Sequence, residues 1–69
     1  MSDVQRRFGI RMRMVRKAKG VSQEKLADLA GLHRTYVSLV ERGECNISLV
    51  NIEKLAKALQ VPMTKLMPD

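Results

Sequence analysis

Short hydrogen-bonding side chains and arginines recur at helical spacing between residues 34 and 42. In a helix over this range, Arg34, Thr35 and Ser38 lie on one side, opposite an apolar stripe. An arginine can donate two hydrogen bonds to guanine O6 and N7, and a hydroxyl can serve a base or a phosphate. The spacing therefore predicts a helix that reads base edges. A surface arginine exposed to solvent is the simpler interpretation of Arg34, and base contact is the favoured one.

Two further residues of the same side extend this surface. Leu39 is apolar among polar neighbours. It fits contact with a thymine methyl group or the position of an ordinary half-exposed residue. Arg42, at the end of the helix, is expected to contact a DNA phosphate.

The elements that must hold this side in place are two short helices joined by a tight turn. The stretch SQEKLADLAGLHRTYVSLVER, residues 22–42, predicts helices over 23–30 and 34–42. Ala27 lets the two backbones approach, Gly31 supplies the turn, and Val37 packs the second helix onto the first. This geometry fits the major groove of B-DNA, which is about 12 Å wide.

Three more helices are predicted, over residues 5–19, 49–59 and 62–67. The fold class is therefore all-α, a compact bundle of five short helices with a central helix-turn-helix, in one domain over residues 1–69. Ile10 and Met14 form an additional apolar pair on the first helix. A widened buried stripe is the favoured interpretation, and contact with a partner is the alternative.

Composition narrows the class of partner. The chain has 69 residues, with 13 Lys plus Arg against 7 Asp plus Glu, and its formal net charge of +6 favours a polyanion such as nucleic acid. A single cysteine, Cys45, is typical of a reducing, cytoplasmic compartment, and no Cys/His cluster has metal-ligand spacing. No membrane span, signal peptide, nucleophile–base pair or phosphate loop is present, so we expect no enzyme activity, cofactor, metal, membrane or small-molecule ligand.

The chain resembles the phage-repressor-like helix-turn-helix family over nearly its whole length. The resemblance runs from FGIRMRMVRKAKGVSQEKLA through LHRTYVSLVERGECNISLVNIEKLAKAL. The second stretch is most similar to the controller proteins of restriction–modification systems. These are small dimeric regulators that set when an endonuclease gene is expressed.

The resemblance implies a role for several positions. Arg34, Thr35 and Ser38 match base-reading positions, and Arg16 and Glu41 match a structural ion pair between the first and third helices. His33 departs from the stronger capping residues of the family and is interpreted as a capping or surface residue. Further positions match contacts to DNA phosphate: Gln23, Tyr36, Asn46 and Ser48. For Asn46 and Ser48, plain turn and capping chemistry is the alternative.

The expected assembly is a homodimer on a pseudo-palindromic double-stranded operator, with half-sites about 34 Å apart. Activation would in addition require a surface that contacts RNA polymerase. The expected circuit is self-limiting, with activation at low protein concentration and repression at high concentration. A phage or plasmid repressor, an antitoxin-type autorepressor and a helical protein-interaction module remain alternatives. The predicted dimer contacts are apolar residues in excess of what a small core buries: Leu49, Val50, Met63, Leu66 and Met67.

Overall fold

The computed structural model describes residues 2–68, and every regular element in that range is helical. The four α-helices are α1 (Asp3–Ala18), α2 (Gln23–Ala30), α3 (Arg34–Glu41) and α4 (Leu49–Leu59), and a 3-10 turn follows at Met63–Lys65. Helix α3 packs against α1 and α2, whereas α4 packs against α2 and the C-terminal turn. The predicted all-helical bundle is confirmed.

Helix α1 begins two residues before the predicted start. The Ser2 hydroxyl accepts a hydrogen bond from the Gln5 backbone N–H at 3.2 Å, and Gln5 Oε1 accepts one from the Ser2 N–H at 3.4 Å. This reciprocal capping box satisfies two N–H groups that would otherwise lack partners at the helix start. Its signature, Ser followed three residues later by Gln, is visible in the sequence.

The predicted fifth helix over 62–67 is wrong. Only Met63–Lys65 are helical, as a single 3-10 turn between Pro62 and Pro68. A segment this short forms too few backbone hydrogen bonds to sustain an α-helix. The turn nevertheless packs on α4, because Leu66 directly after it is completely buried.

Ile10 and Met14 lie in solvent, so the favoured interpretation of them as buried was wrong. Their exposed fractions are 54% and 60%. Met12 between them is fully buried. Residues two positions away on an α-helix point to nearly the opposite side, so α1 cannot bury both sets.

One apolar core joins all four helices and the C-terminal turn. Burying these side chains is the main favourable contribution to folding in a domain of this size. The residues of the core are Phe8, Met12, Leu26, Ala27, Ala30, Val37, Val40, Ile52, Leu55, Ala56, Leu59 and Leu66.

Helices α1 and α3 approach so closely that only glycine fits at position 9. A methyl group on Gly9 would lie 2.6 Å from the Glu41 carbonyl oxygen and still closer to that of Val40. Gly43, two residues after the end of α3, has φ of +73° and lies against the Arg6 backbone. The position of α3 is therefore set by direct backbone packing on α1.

Candidate nucleic-acid interface

The start of α3 is fixed by its turn and its cap. Gly31 has φ of +69°, and the Leu32 N–H donates to the Ala27 carbonyl at 2.8 Å. His33 Nδ1 accepts from the Thr35 N–H at 3.2 Å, so the imidazole caps the helix. Val37 is completely buried and anchors the inner side of α3. This geometry holds the outer side of α3 toward solvent.

The outer side of α3 carries the residues predicted to read bases, Arg34, Thr35, Ser38 and Leu39, and this candidate surface is named the base-reading face. Arg34 and Thr35 are exposed, and Ser38 and Leu39 are partly buried. A shallow groove of about 230 Å³ is lined by the first three of these residues together with Gln23 from α2. The structure therefore brings Gln23 to the edge of the base-reading face.

A buried ion pair between α1 and α3 fixes the position of Gln23 beside the base-reading face. Arg16 Nε donates to Glu41 Oε2 at 2.6 Å, and Arg16 Nη2 donates to Glu41 Oε1 at 3.0 Å. Gln23 Nε2 also donates to Glu41 Oε1 at 3.0 Å. The pair implied by the family resemblance is thus present, and it fixes the Gln23 amide in addition. One N–H of that amide remains directed away from Glu41 and can serve an acceptor such as a phosphate oxygen.

The Tyr36 side chain on α3 forms a hydrogen bond with a residue of α4. Asn51 Nδ2 donates to the Tyr36 Oη at 3.0 Å. Burial raises the pKa of the Tyr36 phenol, the Asn51 hydrogen bond lowers it, and the neighbouring Cys45 thiol raises it, with a net upward shift. The phenol therefore stays neutral at physiological pH and can donate its proton.

The remaining predicted phosphate contacts lie at or after the end of α3. Arg42 is the C-cap of α3, not part of the helix, and its Nε lies 3.5 Å from Glu44 Oε2 in an exposed pair. Asn46 is exposed. The Ser48 hydroxyl accepts from the Asn51 N–H at 3.1 Å and caps α4. Capping chemistry at Ser48 is therefore present in the structure.

The predicted dimer contacts separate into exposed and buried residues. Leu49 and Val50 have exposed fractions of 70% and 62%, and with Glu53 and Met63 they line a shallow groove. Leu66 was wrongly placed on this surface, because the protomer's own core covers it completely. Met63 is half-buried, and Met67 is exposed but lines a different groove with Val4 and Phe8. These four residues, Leu49, Val50, Met63 and Met67, are the predicted contacts that a second copy can reach, and they define the candidate dimer patch.

Asn51 and the link from Gln23 to Glu41 were not predicted from the sequence. Asparagine three positions after a capping serine is compatible with an ordinary helix start, so Asn51 gives no signal of its own. Both interactions join residues far apart in the chain, and they depend on how the helices cross. Within residues 2–68, no group of side chains forms a metal site, and no helix is long and apolar enough to cross a membrane.

The two-helix unit with a polar, solvent-facing second helix defines a DNA-binding domain of the helix-turn-helix class. The helix-turn-helix family model matches residues 12–66, and the chain belongs to this family of transcription regulators.

Three relatives illustrate the similarity. Control protein C.BamHI of Bacillus amyloliquefaciens is 56% identical over 55 residues, covering 78% of this chain and 68% of that protein. Control protein C.MunI of a Mycoplasma species is 41% identical over 70 residues, covering 100% and 95%. The crystal structure of the restriction-modification controller protein C.AhdI from Aeromonas hydrophila superposes with a TM-score of 0.90 at 56% identity, covering 91% and 96%.

Proposed function

We propose that this chain is the controller protein of a restriction–modification system, a homodimeric regulator that binds a pseudo-palindromic operator at its own promoter. The observation that carries the proposal is the groove in which Arg34, Thr35 and Ser38 meet Gln23. Base-reading donors and a phosphate-directed amide share one surface there. The similarity to named control proteins over most of the chain supports the restriction–modification setting.

Base recognition belongs to the base-reading face. Arg34 is exposed at the first position of α3 and donates to guanine in the major groove. Thr35 and Ser38 supply short hydroxyl groups, and Leu39 contacts a thymine methyl. Contacts to the phosphate backbone orient the helix in the groove without reading sequence. We assign these contacts to Gln23, Tyr36, Arg42, Asn46 and Ser48.

A two-fold dimer presents one α3 to each half-site. In the candidate dimer patch, Leu49 and Val50 on α4 and Met67 after the C-terminal turn are exposed, and Met63 on the turn is half-buried. Joining this patch to its copy removes apolar surface from water. The two α3 helices then enter successive major grooves about 34 Å apart.

Regulation follows from protein concentration. The dimer binds its own promoter cooperatively, activating it when the protein is scarce and repressing it when the protein is abundant. Activation includes contact with RNA polymerase. A promoter–reporter titration with increasing doses of the protein tests this circuit. Expression is expected to rise and then fall, and a flat response at every dose would remove the circuit.

DNA binding is tested by footprinting on the DNA upstream of the gene, with sedimentation of the protein alone and on DNA. The expected result is protection of two half-sites by a dimer. A protein that is monomeric both free and bound would contradict the dimer. An endonuclease and a methyltransferase gene beside this one would support the controller assignment, and phage or toxin genes would replace it with one of the autorepressor alternatives.

A further inference from the structure

The hydrogen bond between Asn51 and Tyr36 joins α3 and α4, which pack mainly on other elements and not on each other. Helix α3 packs on α1 and α2, and α4 packs on α2 and the C-terminal turn. Asn51 Nδ2 lies 3.0 Å from Tyr36 Oη, across a separation of 15 residues in the chain. Any displacement of α4 relative to α3 therefore acts on Tyr36 directly.

The direction of this bond determines what the phenol can do. Because the Asn51 amide donates to the phenol oxygen, the hydroxyl proton of Tyr36 must point elsewhere. Accepting one hydrogen bond also strengthens the hydroxyl as a donor in another. Tyr36 lies between Thr35 and Ser38 in the sequence of α3 and is partly exposed, and the Cys45 thiol is the other side chain beside its phenol. A DNA oxygen is a stronger acceptor for the phenol proton than the Cys45 sulfur.

Asn51 is itself held at the start of α4. Its backbone N–H donates to the Ser48 hydroxyl at 3.1 Å. It directly follows Leu49 and Val50, the most exposed large apolar residues of the described chain. The backbone of Asn51 thus lies beside the candidate dimer patch, and its side chain contacts Tyr36 on α3.

We propose that Asn51 is a positioning residue for sequence discrimination, which holds the Tyr36 phenol so that its proton is directed to DNA and so that α3 keeps a fixed position relative to the dimer patch. This inference rests on the proposed function. It assigns to α4 a part in specificity that needs no contact between Asn51 and a base.

The test uses the full chain and a duplex recovered by selection from randomised double-stranded DNA with the unaltered protein. Affinity is measured for the selected duplex and for a scrambled duplex with Asn51→Ala, Tyr36→Phe and the double variant. Asn51→Ala is expected to lower the ratio of the two affinities about 3- to 10-fold, the range for one hydrogen bond. Affinity for scrambled DNA should change little, because the phenol reaches its phosphate oxygen only where the base contacts of Arg34, Thr35 and Ser38 seat α3 in the groove. In the Tyr36→Phe background, Asn51→Ala should have no further effect on the ratio.

Asn51→Asp provides a sharper variant, because it keeps the shape of the side chain but can only accept a hydrogen bond. It captures the Tyr36 proton, so the affinity ratio should fall at least as far as with Asn51→Ala, and again only when Tyr36 is present. Thr64→Ala, an exposed polar position on the C-terminal turn, serves as the matched control. Thermal unfolding of each variant separates loss of fold from loss of discrimination.

The outcomes are distinct. Equal losses of affinity for selected and scrambled DNA, or additive effects of the Asn51 and Tyr36 substitutions, would overturn the inference and leave the proposed function standing. Failure of the unaltered protein to select any duplex would overturn both.

Discussion

Arg16 and Glu41 form a two-point ion pair between α1 and α3, with Nε–Oε2 and Nη2–Oε1 separations of 2.6 and 3.0 Å. Both side chains are almost completely buried. Arg16 Nη1 also donates to the Val21 carbonyl at 2.8 Å, and Gln23 donates to Glu41. Three helices therefore meet at one carboxylate. The network fixes the angle at which α3 presents its base-reading face.

Removing this carboxylate is expected to destabilise the domain strongly. Glu41→Ala leaves a buried guanidinium without its partner, which costs about 3–5 kcal/mol in other proteins. The free energy of unfolding, measured with urea, should fall by that amount. Glu44→Ala is the control, because its pair with Arg42 is exposed and should change stability by less than about 1 kcal/mol. Similar unfolding midpoints for the two variants would show that the ion pair does not support the fold.

Arg34→Ala tests base recognition. The substitution should cost about 1–3 kcal/mol of specific binding and relax the preference at a single base position. The measurement is a titration of the selected operator and of each of its single-base variants. Arg13→Ala removes the same charge from an exposed position on α1. It should weaken binding to all sequences alike, and a uniform loss with Arg34→Ala as well would contradict a base-reading role.

Val50→Glu tests the dimer patch. A buried charge opposite its own copy is unfavourable, so the variant should sediment as a monomer at concentrations where the unaltered protein is dimeric. Leu29→Glu changes an exposed leucine on α2, outside the patch, and should leave the dimer intact. Circular dichroism checks that both variants remain helical. A dimeric Val50→Glu variant would place the interface elsewhere.

Tyr36 is the only tyrosine of the chain, and no tryptophan is present, so tyrosinate absorbance reports on this residue alone. The phenol pKa is raised above its ordinary value of 10.0, chiefly by burial. The absorbance midpoint of the folded protein should lie above 10.0 and return to it in denaturant. Asn51→Ala should raise the midpoint further, because the Asn51 hydrogen bond lowers it.

The same shift makes stability depend on pH in the alkaline range. The folded state keeps the proton more tightly than the unfolded state, so the contribution is complete below pH 10.0. It is lost as the pH rises through the higher pKa of the folded protein. Tyr36→Phe should lose this part of the alkaline destabilisation. An unshifted midpoint in the folded protein would contradict the burial of the phenol.

Local signals in the sequence predicted most of the fold. Ser22 and Gly31 mark the ends of α2, and Ser48 marks the start of α4, because caps and turns depend on residues adjacent in the chain. The missed start of α1 had such a signal in Ser2 and Gln5.

Features that depend on distances between helices were not predictable. The exposure of Ile10 and the burial of Leu66 follow from which side of each segment meets the bundle. The Asn51–Tyr36 hydrogen bond likewise requires knowing how α4 lies beside α3. Periodicity identifies an apolar stripe but gives no measure of how much of it a neighbouring helix covers.

Helix α1 carries none of the residues assigned to DNA, yet Gly9 determines how deeply α3 is seated. The Val40 and Glu41 carbonyls rest on α1 where a side chain would otherwise stand. A bulkier residue would push α3 outward, and in a two-fold dimer both copies of α3 would shift together. In the proposed complex, the span between operator half-sites that the protein accepts therefore depends on the lack of a side chain at Gly9, on a helix to which no DNA contact is assigned.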